Sequence, residues 1–363
     1  MADLMSWLTL LSAPGVGARR FHTLLAKFGS PEAALRASLA DLETTPGVGR
    51  HTATAIKSQH DCAFAEKQIL LAARCGARLI TLSDSDYPRR LRQIFDPPPI
   101  LYVLGNFSDA VDRTIAIVGT RLTTAYGRQA TEHFTGTLIQ RGFTVVSGLA
   151  RGVDTVAHRT ALACAGHTVA VIGSGLDRPY PRENYTLMEA IAASGGVLTE
   201  QPFGTGPEAM NFPLRNRIIS GLTLGTLVIE AGEESGALIT ARYALEHNRE
   251  VFALPGPVTS RQSVGVNRLI RDGLAKLVQT PDDVIQELST EAAPAGLAVA
   301  PRQVPELRSE EHKVYAVLSD EPKHIDQIAT ASGLTTSLAL SVLLALELRD
   351  IVSQISGKRF ARL

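Results

Sequence analysis

The chain has 363 residues, 45% hydrophobic and 20% charged, with 36 basic and 36 acidic side chains. That length supports two or three domains with their own cores, and the charge balance excludes a whole-molecule field that would draw it to polyanions, so any nucleic-acid surface must be a local patch. Cys62, Cys75 and Cys164 contain no CxxC pair, which argues against a disulfide scaffold or a zinc site, and the lack of a signal-peptide pattern or an apolar run of about 18 residues points to a cytoplasmic protein with no membrane span.

Residues 1–75 contain an internal repeat, "PGVGARRFHTLLAKFGS" at 14–30 and "PGVGRHTATAIKSQ" at 46–59. A Gly-Val-Gly turn entering a helix is the helix-hairpin-helix pattern, whose backbone N–H groups face a phosphate. Two structural hairpins packed on one another would carry the same signature. An all-α helix-hairpin-helix (SAM-like) domain is expected here.

Residues 76–288 alternate strand, loop and helix. The strand segments are "TIAIVG" (114–119), "FTVVSG" (143–148), "TVAVIG" (168–173), "GVLTE" (196–200), "TLVIEA" (226–231) and "EVFALPG" (250–256). Nearly continuous β-branched runs with helical segments between them predict a doubly wound, mostly parallel sheet covered on both faces. "RLITL" (78–82) and "ILYVLG" (100–105), separated by the proline-rich 96–99, are expected to extend it. An Ala/Pro-rich linker over 289–308 follows. Residues 309–363 then read as three helices, at 309–319, 324–331 and 335–350, and a hairpin turning at Gly357: a small winged-helix domain. Its third helix is almost without basic residues, so major-groove reading there is not expected. Lys358, Arg359 and Arg362 suit either phosphate contact or a solvated surface.

Ligands of open parallel sheets bind beyond the carboxyl ends of the strands. Those ends carry "GTRLTTAYG" (119–127), "SGLARGVD" (147–154), "GSGLDRPYPREN" (173–184) and "EAGEESGALIT" (230–240). Each supplies glycines where a backbone can approach a ligand, and each opens a helix whose N–H groups attract anions. Arg121 and Arg151 add cations. Yet Arg178 stands where the third glycine of G-x-G-x-x-G belongs, no Walker loop occurs, and no catalytic or metal constellation is readable. Asp154 suits a helix cap, His158 a hydrogen-bonding role. Glu230 ends a strand as a catalytic acid would, without a second carboxylate in matching context. The pattern is that of a site that grips phosphates without reacting.

"NFPLRNRIISG" (211–221) adds an aromatic, two arginines and an amide. Phe212 would stack a base or lie in the core, Arg215 and Arg217 would address phosphates or base edges, and Asn216 would pair with a base edge. A duplex would need a helix or ribbon for its groove, and none is obvious in this segment.

Taken together, "IAIVGTRLTTAYG", "VVSGLARGVDTVAHRTAL", "TVAVIGSGLDRPYPREN", "NFPLRNRIISGL" and "EAGEESGALITARYALEHNREVFALPG" resemble the DNA-processing protein A family (DprA/Smf). The resemblance implies an extended Rossmann-like domain, with a helix-hairpin-helix domain before it and a winged helix after it. It implies a non-enzymatic recombination mediator, without cofactor, that works as a homodimer. Such a mediator binds and protects single-stranded DNA in natural transformation and loads the RecA recombinase past single-strand-binding protein. The family's G-[ST]-R turn places Gly119, Thr120 and Arg121 at the DNA; its S-G-x-A-x-G turn places Ser147, Gly148, Ala150 and Gly152, with Arg151 between them. Its F-x-x-R-N-R segment places Phe212, Arg215, Asn216 and Arg217. Some members carry a basic residue shortly before that Phe, where this chain has Glu208-Ala209-Met210-Asn211; Arg178 or Arg182 would have to supply that contact. A nucleotide-hydrolysing enzyme of the lysine-decarboxylase-like phosphoribohydrolase type is the main alternative, although its P-G-G-x-G-T-x-x-E loop is absent.

Overall fold

The computed structural model describes residues 2–291, 309–318, 323–347, 352–355 and 359–362, apart from 59, 106 and 108–112. The chain divides into two compact units, residues 1–292 and 293–363. The expected linker is entered by a helix running to Glu291, and its remainder, 292–308, lies outside the described residues, as do Gly357 and Lys358.

Six helices come first: α1 (Ala2–Ser12), α2 (Ala18–Phe28), α3 (Pro31–Arg36), α4 (Leu39–Glu43), α5 (Arg50–Ser58) and α6 (Cys62–Cys75). Their starts follow from sequence: Ser30, Ser38 and Asp61 each accept a hydrogen bond from a first-turn N–H, and Pro31 occupies the first helical position. Arg20 ties the two P-G-V-G turns together, donating from Nε to the Gly47 carbonyl (2.8 Å) and from Nη1 to the Gly15 carbonyl (2.6 Å). The hairpins are packed on one another.

The sheet segment runs β1 (Arg78–Thr81), α7 (Arg89–Arg92), β2 (Ile100–Gly105), β3 (Thr114–Val118), α8 (Ala125–Gln140), β4 (Thr144–Ser147), α9 (Val153–Ala163) and β5 (Thr168–Val171). It continues with α10 (Tyr185–Ser194), β6 (Gly196–Thr199), α11 (Asn211–Gly221), β7 (Gly225–Val228), α12 (Gly236–Glu246), β8 (Glu250–Ala253), α13 (Val264–Arg271), β9 (Lys276–Leu277) and α14 (Pro281–Glu291). The nine strands lie in the order β1-β2-β6-β5-β4-β3-β7-β8-β9. The six central strands and β9 pair in parallel, while β2 runs antiparallel to both β1 and β6. The two early strands do extend the sheet; the two-residue β9 was not anticipated.

Both faces are covered, as continuous apolar strands require. Ile115, Ile117 and Val145 point into a core shared with Phe134 and Leu138 of α8. Ala116, Val118 and Val146 point the other way, toward Ile218 and Ile219 of α11 and Ala241 of α12. A third core joins Trp7, Phe21 and Leu24 of the helical segment to Ile100, Tyr102, Ala170 and Ile191. The amide of Gln68 adds a two-way bond to the Phe203 backbone, donating to its carbonyl (3.2 Å) and accepting from its N–H (2.8 Å). The boundary expected at 75/76 thus marks a change of secondary structure and not a break between bodies.

The second unit contains α15 (Ser309–Val317), β10 (Lys323–His324), α16 (Ile325–Ser332), α17 (Thr336–Glu347), β11 (Val352–Ile355) and β12 (Arg359–Arg362). Its sheet has the order β10-β12-β11. Val314, Ile328, Leu343, Val352 and Phe360 form its core. Thr335 caps α17 by accepting from the Leu338 N–H.

Candidate nucleic-acid interface

The order of the parallel strands reverses between β3 and β7, and their loops part there to leave a crevice at the carboxyl edge. A cleft of about 750 Å³ opens at that point, lined by Gly119–Leu122 after β3, by Gly232 and Glu234–Ala237 after β7, and by Phe212, Pro213, Arg215 and Asn216 of α11. The Arg121 guanidinium lies 5.7 Å from the centroid of the Phe212 ring. On another side, Tyr180 stands with its ring 5.7 Å from Phe212. Phe212 is half-buried, so the bland alternative of a core Phe does not hold. No carboxylate among the described residues pairs with Arg121, although Glu234 stands on the rim.

Beneath the cleft lies a buried polar network that holds its loops. Asp154 accepts from the N–H groups of Gly148 (3.1 Å) and Ala150 (3.2 Å), closing the S-G-x-A-x-G turn onto the start of α9. Burial pushes its carboxyl above the usual range, against the pull of Arg215. Arg215 Nη1 donates to the Gly148 carbonyl (2.6 Å) and to that of Val171. Desolvation, partly opposed by Asp154, brings its pKa down to about 10. A side chain on Gly148 would meet Arg215 Nη1 at 2.2 Å, and one on Gly152, whose φ is +74°, would meet the Thr120 carbonyl at 2.2 Å. Both glycines therefore answer a close approach. Across the cleft, the buried Glu230 accepts from Thr124 N (3.0 Å), Thr124 Oγ1 (2.6 Å) and Thr123 Oγ1 (3.2 Å), while its own carbonyl accepts from Thr120 N (2.7 Å). The G-T-R turn is thus fixed at both ends, and Arg121 projects from it.

Comparison with known proteins bears on what this cleft belongs to. Residues 78–289 match the model of the DNA recombination-mediator protein A family, residues 298–358 the DprA winged-helix domain, and residues 8–59 the SAM-like helix-hairpin-helix tandem. The chain belongs to the DNA recombination-mediator protein A family. The Smf protein of Synechocystis is 36% identical, over 98% of both chains. The solved structure of Streptococcus pneumoniae DNA processing protein A aligns with a TM-score of 0.69 at 32% identity, covering 78% of this chain and 97% of that one. That of Helicobacter pylori DNA processing protein A, determined for its single-stranded DNA binding mode, aligns with a TM-score of 0.53 at 30% identity, over 59% and 97%.

In this family member the residues anticipated from sequence separate into four groups, the last being Arg217 alone. Gly119, Thr120, Arg121, Ala150, Phe212, Arg215 and Asn216 all line the cleft. Gly148 and Arg151 line a small recess beside it, where Arg151 makes a two-pronged pair with Glu183 (2.6 and 2.8 Å). Ser147 and Gly152 lie below; Ser147 is fully buried and donates to the Ile117 carbonyl (2.6 Å). Within the cleft, Arg215 is committed to backbone carbonyls, and Asn216 Nδ2 donates to the Gly236 carbonyl (3.2 Å).

Arg217 does not reach the cleft. Its guanidinium is buried between Glu200 and Asp96 (3.3 Å), in a groove toward the helical segment. Arg215 and Arg217, both expected to address phosphates or base edges, each already have protein partners in the structure. His158 is also settled by burial. It bonds Thr168 Oγ1 through Nδ1 (2.7 Å), and desolvation with the nearby Arg215 pushes its pKa down to about 3, leaving a neutral ring. Sequence reasoning missed Tyr180 and the supporting role of Glu230. The signal for Tyr180 was its place in a Gly-rich loop at a strand's carboxyl end.

Among the described residues no single helix is long and apolar enough to cross a membrane, and no group of three or more His, Cys, Asp or Glu side chains could hold a metal.

Proposed function

We propose that the cleft holds single-stranded DNA, with a phosphate on Arg121 and a base stacked on Phe212 beside Tyr180. One observation carries this reading: a cation with no acidic partner among the described residues lies over an aromatic face at the topological switch point of the sheet. That pairing suits a strand whose charge and π-faces alternate along the chain, and its reading is sequence-tolerant because every base has a π-face. α9 and α11 both start at the site without side-chain caps, so their positive ends add to the attraction for phosphate. The relative from Helicobacter pylori, described in its single-stranded DNA binding mode, supports single-stranded DNA as the ligand.

The chemistry nearby favours holding over reacting. Glu230, the carboxylate placed most like a catalytic acid, accepts three hydrogen bonds from the loop it anchors. Asp154 is engaged by two backbone N–H groups. As the resemblance to its family implies, the protein acts as a mediator: a homodimer that shields the strand in two such clefts, passes single-strand-binding protein and delivers the strand to a RecA-type recombinase. The test is a titration of single-stranded against duplex oligonucleotide at two salt concentrations, with the parent protein and Arg121→Ala. Preference for the single strand, with a salt slope shallower by about 0.7 in the variant, is expected. Equal binding of duplex, or an unchanged slope, would remove the cleft from consideration. RecA nucleation on strands coated with single-strand-binding protein tests the delivery step.

A further inference from the structure

The loop between β5 and α10 does more than close the cleft. Tyr180 and Pro207 form a shared wall, with the cleft on one side and a second groove of about 580 Å³ on the other. This second groove is lined by Arg178, Arg182 and Tyr185 in addition to Tyr180. Both tyrosines are solvent-exposed, 38% for Tyr180 and 49% for Tyr185. Large aromatic faces left in water need a reason when they flank guanidinium groups.

The charges in this groove are arranged for an anion. Asp177, its only acidic lining residue, is turned to the backbone, accepting from the Gly204 N–H through both oxygens (2.9 and 3.1 Å). Its nearest approach to Arg178 is 3.9 Å, the outer edge of an ion pair. Glu183, next in sequence to Arg182, is held away by Arg151 and does not line the groove. Among the described residues Arg182 pairs with no carboxylate. The order of groups is then Arg121, Phe212, Tyr180, and onward to Tyr185 and Arg182: three rings with a cation at either end.

We propose that a polynucleotide strand held in the cleft continues over Tyr180 into this second groove. Its next phosphate lies on Arg182 or Arg178, and its next base on Tyr185. The protein then takes successive nucleotides along a track rather than one nucleotide in a pocket. This rests on the single-strand reading of the cleft. It also accounts for the acidic and apolar run Glu208-Ala209-Met210-Asn211 before Phe212: the cations absent there stand instead on the β5–α10 loop.

The test uses the full chain and a ladder of oligothymidylates beginning at the dinucleotide, all too short to bridge two protomers. The sequence contains a single tryptophan, Trp7, which is buried in the helical segment, so Tyr185→Trp places a clean fluorophore in the groove. Its emission should be quenched by the longer oligonucleotides and not by the dinucleotide. In Tyr185→Ala/Arg182→Ala, the gain in affinity with length should shrink by about thirtyfold, the middle of the range for one lost stacking partner. Both positions are exposed, and an unchanged thermal melt establishes that the fold is intact. The track is overturned if Tyr185→Trp emission ignores every strand that binds, or if the double variant follows the parent at every length. Arg121→Ala separates the two levels. If it abolishes binding while the groove variants behave as the parent, the cleft stands and the track falls; if it leaves binding untouched, both fall.

Discussion

Replacing Arg217 tests whether the structure or the sequence pattern gives its role. The side chain is 4% exposed, its Glu200 partner 15% and Asp96 27%. Arg217→Met preserves much of the volume and deletes the charge, leaving the Glu200 carboxylate buried without its cation. Breaking a buried pair in this way costs about 3–5 kcal/mol, a large share of the 5–15 kcal/mol that hold a domain together. Burial already pushes the Glu200 carboxyl above its usual range, and the Arg217 guanidinium is the main group pulling it back. Without the guanidinium the folded value rises further. A carboxyl raised in the folded state gives stability that is fully present below the unfolded pKa and lost as pH rises through the folded one. The penalty should therefore be larger at pH 8 than at pH 5, and Glu200→Gln on the same background should recover much of it. Trp7 reports the relevant unit directly, because it lies in the core that joins the helices to the sheet. Urea unfolding followed by its emission, at both pH values, is the assay. The reasoning fails if Arg217→Met unfolds like the parent but binds single strands with a salt slope shallower by about 0.7, the signature of a lost phosphate contact.

Three further outcomes can be checked on the same protein. Phe212→Ala should weaken single-strand binding by about 1–3 kcal/mol per stacked base with little change in salt slope, whereas Arg121→Ala should change the slope; identical signatures from the two would refute the division of roles. His158 stays neutral in the fold with a pKa near 3, so the unfolded chain alone takes up its proton below the ordinary value of about 6.5, and stability should fall by about 1.4 kcal/mol per pH unit from there downward. His158→Gln should flatten that limb of the pH profile, and an unchanged limb would show that the ring titrates normally. A chain ending at Ala292 should keep most of its single-strand affinity, since the cleft is built wholly from the first unit; loss of binding in a truncated chain that melts like the parent would assign the strand to the winged helix.

The sheet was legible because its signals are local and redundant. Each central strand is a continuous apolar run that only a doubly covered sheet accommodates, and each is followed by glycines and a helix. β9 was not legible: Lys276 and Leu277 are both exposed, so burial leaves no pattern in the sequence. The union of the helical segment with the sheet was hidden for another reason. Gln68 and Phe203 are 135 residues apart, and nothing in either segment announces the other.

The site was legible as a set of loops, whereas which side chains face the cleft depends on helical phase and burial, as α11 shows. Residues in a helix are separated by about 100°, so Arg215 and Arg217 point roughly 200° apart and cannot serve one cleft. The structure follows that geometry. Phe212, Arg215, Asn216 and Ile219 face the cleft, while Leu214 and Arg217 face the groove toward the helical segment. Helical phase alone places the two arginines on different sides of the helix. Burial removes Arg215 as a free cation, since it sits under Gly148 with its donors on carbonyl oxygens. What the R-N-R segment supplies is two anchors: Arg215 fixes the floor of the cleft, and Arg217 fixes the helix to Glu200 and Asp96 on its far side. Between them they hold Phe212 at the rim, where an exposed cation from a different loop meets it. For the proposed strand-binding role the two cleft groups are thus held differently: the buried pair fixes the helix that carries the Phe212 ring, while Arg121 stands exposed on the G-T-R turn.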